Sequence, residues 1–524
     1  MKNAFRQTMG WLHTWSGLVV GWVLFFVFLT GTAGYFDVEI DRWMQPERPL
    51  PSAARPGEAA AVDAGLKYLA AQAPGAERWF IGLPEDRTSD VRLFWRKPAA
   101  GKEGPASGRA YVSVATGEPV NYRDTGGGQL LYRMHYDLHY LPALAANWIV
   151  GICAMVMLVA IVTGMIVHKR IFRDFFTFRP RKGQRSWLDA HNILSVLALP
   201  FHLMITYSGL VFFAYLYMAP VVTASYGFGE NARKTYFDEL LDRDQIPQRA
   251  GRPASLTPLA PLLEEVHGRA RPVQFINIYN PGDANARVVV AGGPLTPTRA
   301  RTVLTFHGTT GELLRASGPR SAPMATYQIL LGLHEGLFAG PLLRWLYFLS
   351  GLMGTAMIGA GLVLWTVKRR AKIGETFGFR LVERLNIATI VGLPIAIAAY
   401  FWANRLIPVG IEGRAAWEAH AMFIVWAVVL SHALVRPGGP AWVEQLWIAA
   451  AAFALLPVVN ALTTDRHLGV TLPAEVWELA GFDLTVLAFG LVFAATALRA
   501  GRRHRAETRN EATWGSLPRQ EAAE

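Results

Sequence analysis

The sequence predicts a polytopic α-helical membrane protein of about eight spans. The first four spans form an internal repeat, and two small α+β domains lie outside the bilayer. Three observations predict this. Of 524 residues, 52% are hydrophobic and 17% charged, against about 25% charged in soluble domains, and the mean hydropathy is +0.23. The apolar residues gather into eight long runs, each near the ~20 residues that cross a hydrocarbon core as a helix. The basic residues cluster directly behind two of those runs, as the positive-inside rule describes.

The runs lie roughly at 11–34, 144–167, 187–217, 342–366, 384–403, 416–435, 442–461 and 475–498. The first is too long for a signal-peptide core and lacks an A-x-A cleavage site, so it reads as a span. The chain divides accordingly into span one (1–36), a polar domain (37–135), spans two and three with a basic loop (136–217), a second polar domain (218–330), span four (331–370), spans five to eight (371–499) and a polar tail (500–524), expected to be disordered.

The formal charge is +12 and the pI about 9.8. Lys169, Arg170, Arg173, Arg179, Arg181, Lys182 and Arg185 follow the second run, and Lys368, Arg369, Arg370, Lys372, Arg380 and Arg384 follow the fourth. This placement points to the lipid bilayer as partner and not to nucleic acid. It puts both termini and both basic loops in the cytoplasm. Both polar domains then lie in the periplasm of a bacterial cell, with the protein in the inner membrane.

The repeat is visible in spacing. His13 precedes Gly31 by 18 residues inside LTGTAGYF, and His191 precedes Gly209 by 18 inside TYSGLVFF. Each span leads into a polar domain ending in a strand, a Thr-Gly turn and a second strand, AYVSVATGEPV and TVLTFHGTTGELL. Gly117 precedes His139 by 22 residues and Gly311 precedes His334 by 23, and both histidines follow a leucine. The two copies share one orientation, so their symmetry axis runs along the membrane normal. In the first domain EAAAVDAGLKYLAAQ reads as helix and RWFIGLP, VRLFWRKP and AYVSV as strands. In the second, TPLAPLLEEVHGRA reads as helix and VQFINIY, ARVVVAG and TVLTF as strands.

The one cysteine, Cys153, lies in an apolar run. That excludes an internal disulfide, a four-thiolate iron–sulfur cluster and a zinc knuckle. No strand is followed by G-x-G-x-x-G, so dinucleotide binding is unsupported, and no protease or Walker arrangement occurs.

The placement of the histidines carries the chemistry. Ionisable residues at membrane depth are costly and are functional candidates by default, and imidazole ligates b-type haem without a CxxCH attachment. His13 and His191 are repeat equivalents near the cytoplasmic face, suited to hold one haem from both sides. His139 and His334 are equivalents near the opposite face, suited to a second. His202 follows His191 by 11 residues, about three turns or ~16 Å up the same helix face, and competes with them. His135 and His168 are weaker haem candidates. The competing reading is structural: an interfacial histidine beside a basic loop often snorkels or only hydrogen-bonds, and His168, before Lys169 and Arg170, invites it. His420 and His432 read as structural, as do His267, His307, His467 and His504.

The runs RQTMGWLHTWSGLVVGWVLFFVFLTGTAGYFDVEID, WLDAHNILSVLALPFHLMITYSGL and LHEGLFAGPLLRWLYFLSGLMGTAMIGAGLVLW resemble the PepSY-associated transmembrane family, and the two strand-TG-strand phrases resemble the PepSY domain. The resemblance covers about residues 1–370. It implies, through the family's FoxB-type members, a ferric-siderophore reductase carrying two b haems. By position the ligands are then His13, His191, His139 and His334, with His202 a further candidate. A ferric siderophore is the implied substrate, and a quinol or cytosolic reductase the implied electron donor. Spans five to eight depart from the four-span core of such reductases. Two other functions compete: a haem-free regulatory or binding protein, and a transport component. The latter is weakened because spans five to eight read as carrying few intramembrane charges.

Overall fold

The computed structural model describes residues 2–49, 57–85, 87, 90–98, 107–114, 116–168, 178–180, 182–240, 246–269, 272–299 and 301–515. Lys169, Arg170, Arg173 and Arg181 of the first basic loop, and the end of the tail from residue 516, lie outside the described residues. The chain forms two compact units. One comprises 1–46, 123–207 and 343–524, the other 47–122 and 208–342. The leading helices are α1 (Lys2–Ala33), α2 (Asp37–Met44), α3 (Glu58–Gln72), α4 (Gly127–Asp137), α5 (Ala143–Val167), α6 (Gln184–Leu197) and α7 (Leu199–Phe212). Later helices are named by their ends.

The first unit is helical. Among the described residues, seven helices are long and apolar enough to cross a membrane: Ala4–Met44, Ala143–Val167, Pro341–Ile373, Phe377–Leu406, Arg414–Val435, Gly438–Thr463 and Trp477–Ala506. The pair α6–α7 makes an eighth if taken as one span. All eight apolar runs therefore recur. The third departs from the expected straight helix, because α6 and α7 meet at 69°. Pro200 is the cause: it has no N–H to donate one turn back, and its ring crowds that carbonyl. The bend undoes the expectation that His202 lies three turns up one face from His191.

Helix Phe377–Leu406 is the central post of the C-terminal half. Its most apolar stretch is 78% buried, against 28% for Arg414–Val435 and for Trp477–Ala506. Trp426 Nε1 donates to Ala388 O (2.8 Å) and Trp402 Nε1 to Ala452 O (2.8 Å), fastening neighbours to it. Asn386 joins this half to the first four spans. Its Oδ1 accepts from Trp22 Nε1 (2.9 Å), and its Nδ2 donates to Leu362 O (3.0 Å). The tail expected to be disordered instead continues the last helix, Trp477–Gly515, as far as it is described.

The second unit corrects the expectation of two separate α+β domains. It holds one antiparallel sheet of eight strands in the order β4-β3-β2-β1-β5-β6-β7-β8. The first four are β1 (Arg78–Gly82), β2 (Val91–Arg96), β3 (Ser107–Val112) and β4 (Pro119–Val120). The others are β5 (Val273–Tyr279), β6 (Arg287–Gly292), β7 (Thr302–His307) and β8 (Leu313–Ala316). The halves join edge to edge through β1 and β5, with Ile81 opposite Ile276 and the Phe80 ring stacked on Phe275 (centroids 5.6 Å). Each strand would otherwise expose a row of unpaired N–H and C=O groups, and pairing removes both edges at once. Beneath the sheet one apolar core runs through both halves. Val62 and Leu69 of α3 and Leu263 and Val266 of helix Leu259–His267 pack with Ile81, Leu93, Ile276, Val290 and Phe306. Each such side chain contributes about 1.5–3 kcal/mol by burial. The expected domain limits shift as well: 37–46, holding α2, and 123–135, within α4, belong to the helical unit.

Candidate functional site

His13 on α1 and His191 on α6 lie together in the helical unit, with ring centroids 6.1 Å apart and planes at 76°. His13 Nδ1 lies 2.9 Å from Ala160 O, and His191 Nδ1 lies 2.9 Å from Met357 O. Beneath the first ring is Gly164, where an added Cβ would sit 3.3 Å from His13 Cε1. Beneath the second is Gly361, at 3.3 Å from His191 Cε1. The supports correspond: Met357 follows Ala160, and Gly361 follows Gly164, by the same 197 residues (357 − 160, 361 − 164). A backbone carbonyl accepting from Nδ1–H fixes the tautomer and leaves Nε2 as the donor atom. Neither Nε2 has a hydrogen-bond partner among the described residues.

The separation suits a metal held from both sides. An imidazole nitrogen lies about 1.1 Å from its ring centre and binds a transition metal at about 2.0–2.1 Å. Two rings on opposite sides of one ion then have centres about 6.2 Å apart. Among the described residues no group of three or more His, Cys, Asp or Glu converges as a cage for a bare ion does. The pair could supply two nitrogen donors, which would suit a group that brings its remaining donors with it, as haem does.

His202 on α7 is 1% exposed, and its Nε2 has no hydrogen-bond partner. It faces Gly354, where a Cβ would stand 3.1 Å from Nε2, and its ring lies 6.3 Å from that of Phe28. A buried polar atom without a partner costs about 1–3 kcal/mol, which makes this nitrogen a candidate ligand atom.

The remaining histidines separate from one another. His135 on α4 lies over Gly31, 3.4 Å from the position of an added Cβ, and His334 of helix Ala322–Glu335 lies over Gly209, at 3.1 Å. Gly31 and Gly209 are the glycines that follow His13 and His191 by 18 residues. By contact, then, the histidine matching His334 is His135, whereas the spacing of the sequence favours His139. His334 Nδ1 is 2.9 Å from Ser208 Oγ. His139 sits in a turn with φ +37°, stacked on Phe423 (5.5 Å, 11°), beside Tyr140, whose hydroxyl meets His420 Nδ1. Burial lowers the pKa of both His135 and His139, and for His139 the neighbouring His420 and Arg133 lower it further while Asp137 opposes. Both imidazoles are thereby kept neutral, as a metal ligand must be. His168 Nε2 lies 2.7 Å from Asn192 Nδ2, which gives it a structural partner.

One group of buried residues escaped the sequence reading, and it corrects the impression that spans five to eight carry few charges. Arg414 and Glu418 form a fully buried ion pair. Glu418 also accepts from Asn404 Nδ2 (2.7 Å) and Thr125 Oγ1 (2.5 Å). Next to it, Arg405 lies over the Trp43 ring (3.7 Å) and donates to Asn460 Oδ1 (2.9 Å). Asp483 accepts from Trp43 Nε1 (2.8 Å) and Asn460 Nδ2 (3.0 Å). The signal in the sequence was faint, four charges scattered in or beside three apolar runs.

Residues 10–368 match the family model of the PepSY-associated TM region. The chain belongs to this family. The PepSY-associated match takes in His13, His135, His139, His168, His191, His202 and His334 and both halves of the sheet, and ends before Phe377, so the last four spans lie beyond it. No curated protein matches the chain.

Proposed function

We propose that the protein is an inner-membrane b-haem protein that reduces a ferric siderophore on the periplasmic side and releases Fe(II) for uptake. The observation that supports this reading best is the His13–His191 pair: matched carbonyl supports, unpartnered Nε2 atoms and a ring separation suited to axial ligation. Its residues fit haem, and a second haem would draw its ligands from His202, His135 and His139 of the helical unit. Bound in such a site, haem supplies reversible one-electron chemistry.

The chain's own part is to hold and tune. Ala160 O and Met357 O orient the two imidazoles, and the apolar helices around them exclude water, which together set a reduction potential. The basic loops support a cytoplasmic location for both termini and a periplasmic one for the sheet unit. The substrate step is the gain of one electron by chelated Fe(III). Hard oxygen donors favour Fe(III), so the Fe(II) complex is weaker and the metal leaves. The electron comes from a quinol or a cytosolic reductase.

The purified protein should be red, with a reduced-minus-oxidised difference spectrum of b type and haem extractable by acid acetone. A colourless preparation from haem-replete cells, with no Soret band after reconstitution, would sink the reading. Oriented vesicles supplied with reductant on the cytoplasmic side should convert an external ferric siderophore to Fe(II) caught by a ferrous chelator.

A further inference from the structure

The sheet unit contains a cleft that none of the histidines explains. It is a shallow cleft open to solvent, with about 310 Å³ of space between its walls, and is lined by Arg299, Arg301, Glu335, Leu295, Leu337 and Phe338, with Gly332 at its wall. Its loop is built against the helix that carries His334. A Cβ on Gly332 would lie 2.0 Å from Pro297 O and 3.2 Å from Arg299 Cγ, so this close approach requires glycine. Arg299 is held at φ +51°, a left-handed conformation that costs a non-glycine residue energy. Arg320 clamps the loop from outside by donating to Thr298 O (3.2 Å) and Arg299 O (3.5 Å).

The charges in this cleft are unevenly answered. Arg299 Nε lies 3.1 Å from Glu335 Oε2. Arg301 makes no hydrogen bond or ion pair to a described residue, and rests over the Phe275 ring at 5.7 Å. Burial first, and then the like charges of Arg299 and Arg320, work against its positive charge, while Glu85 and Glu335 favour it. A half-buried guanidinium with five donors and no acceptor is incomplete, because buried charge is tolerated when it is paired and hydrogen-bonded. Its planar fork matches a carboxylate. Leu295 and Leu337 are 45% and 47% exposed at the rim, where they can cover the apolar part of a bound molecule.

We propose that this cleft is the docking site for a carboxylate-bearing ferric chelate, with Arg301 receiving the carboxylate and Leu295 and Leu337 its apolar frame. The inference rests on the siderophore-reductase reading and narrows its substrate from ferric siderophores in general to anionic ones. The strained loop and the glycine contact then serve to hold the arginines beside the helix that presents His334.

The test is equilibrium binding to the full-length detergent-solubilised protein, using gallium(III) citrate as a redox-inert anionic probe and an uncharged gallium(III) trihydroxamate as the comparison. The wild type should bind the citrate complex at least about tenfold more tightly than the uncharged complex, with an affinity that falls as salt rises. Arg301→Gln should abolish that preference and flatten the salt dependence. Arg301→Lys, which keeps the charge and loses the fork, should retain part of it, and an unchanged melting temperature would show that both variants fold. Equal binding of the two probes by the wild type, or an unchanged preference in a folded Arg301→Gln protein, overturns the proposal. Arg301-dependent binding without reduction of ferric citrate would keep the cleft and overturn the reductase reading. Reduction without Arg301-dependent binding would do the reverse.

Discussion

The two halves of the helical unit bury polar groups in opposite ways. The first four spans hold three imidazoles that are only half satisfied: His13 and His191 have Nδ1 on a carbonyl, and neither their Nε2 atoms nor the buried His202 Nε2 has a hydrogen-bond partner among the described residues. In the last four spans the most deeply buried charges answer one another, Arg414 with Glu418 and Asn404, Arg405 with Asn460, Asp483 with Trp43 and Asn460. A closed network makes rigid structure, and it loses stability when any member is removed. An imidazole nitrogen left open among apolar helices is suited to receive a ligand. The difference supports a cofactor in the first half and a scaffolding role for the second.

The largest expected effect tests the open half. His13→Ala and His191→Ala should each remove the same haem completely, and the double variant should lose no more than either single one, as read in the reduced difference spectrum. Two single variants that lose different haems would show that the rings do not share one iron.

The closed half should respond in stability and leave the spectrum alone. Arg414→Ala strands the Glu418 carboxylate in a buried site, and breaking such a pair costs about 3–5 kcal/mol. A sharp fall in melting temperature and yield is expected, with an unaltered b-type spectrum in the protein that survives. If haem is lost first while the fold persists, the charges belong to the cofactor site and the contrast between the halves fails.

A smaller effect probes the supports of the pair. In Gly164→Ala or Gly361→Ala the new methyl stands 3.3 Å from Cε1 of the imidazole above it, and the ring must give by a few tenths of an ångström. The haem should stay bound while its midpoint potential and band positions shift. The two variants should shift the same haem, and an effect confined to one of them would mean that the two supports are not equivalent.

The smallest effect lies in the sheet unit. Asp283 accepts from the backbone N–H groups of Ala250, Gly251 and Asn285 (2.8–2.9 Å). The N–H bonds of Asn285 and Ala250 lead the causes that hold its pKa below the ordinary carboxylate value. A depressed carboxyl stabilises the fold above its unfolded pKa of about 3.9 and loses that contribution as pH falls through the folded value. Asp283→Asn should therefore remove part of the acid sensitivity of segment 246–292, measured by hydrogen exchange at neutral and acid pH. Identical pH profiles in the variant and the wild type would show that Asp283 contributes nothing.

Much of this protein is legible in its sequence because membrane helices and amphipathic strands are local events. Composition and run length mark the spans, since a lipid core demands a continuous apolar helix whatever surrounds it. Short runs rich in β-branched and aromatic residues mark β1, β2, β5, β6 and β7, since such side chains fit a pleated, half-buried surface. The equal spacing of His13–Gly31 and His191–Gly209 is legible in the sequence, and in the structure each glycine lies beneath a histidine, Gly31 under His135 and Gly209 under His334. What tertiary structure alone decided is everything that depends on which surfaces meet. The pairing of Ile81 with Ile276 turned two expected domains into one sheet, because two open edges close most readily on each other. Pro200 bent the third span and moved His202 off the face that spacing gave it. Contact with Gly31 made His135 the counterpart of His334, although linear spacing favoured His139. Four charges from separate stretches became the lattice of Arg405, Arg414, Glu418 and Asp483, and Arg299 and Arg301 came to line one cleft with Leu337 and Phe338. Local sequence can state that a residue is apolar, charged or turn-forming. Whether its hydrogen bonds are met depends on partners up to 440 residues away, as for Trp43 and Asp483, and only the folded chain brings those together.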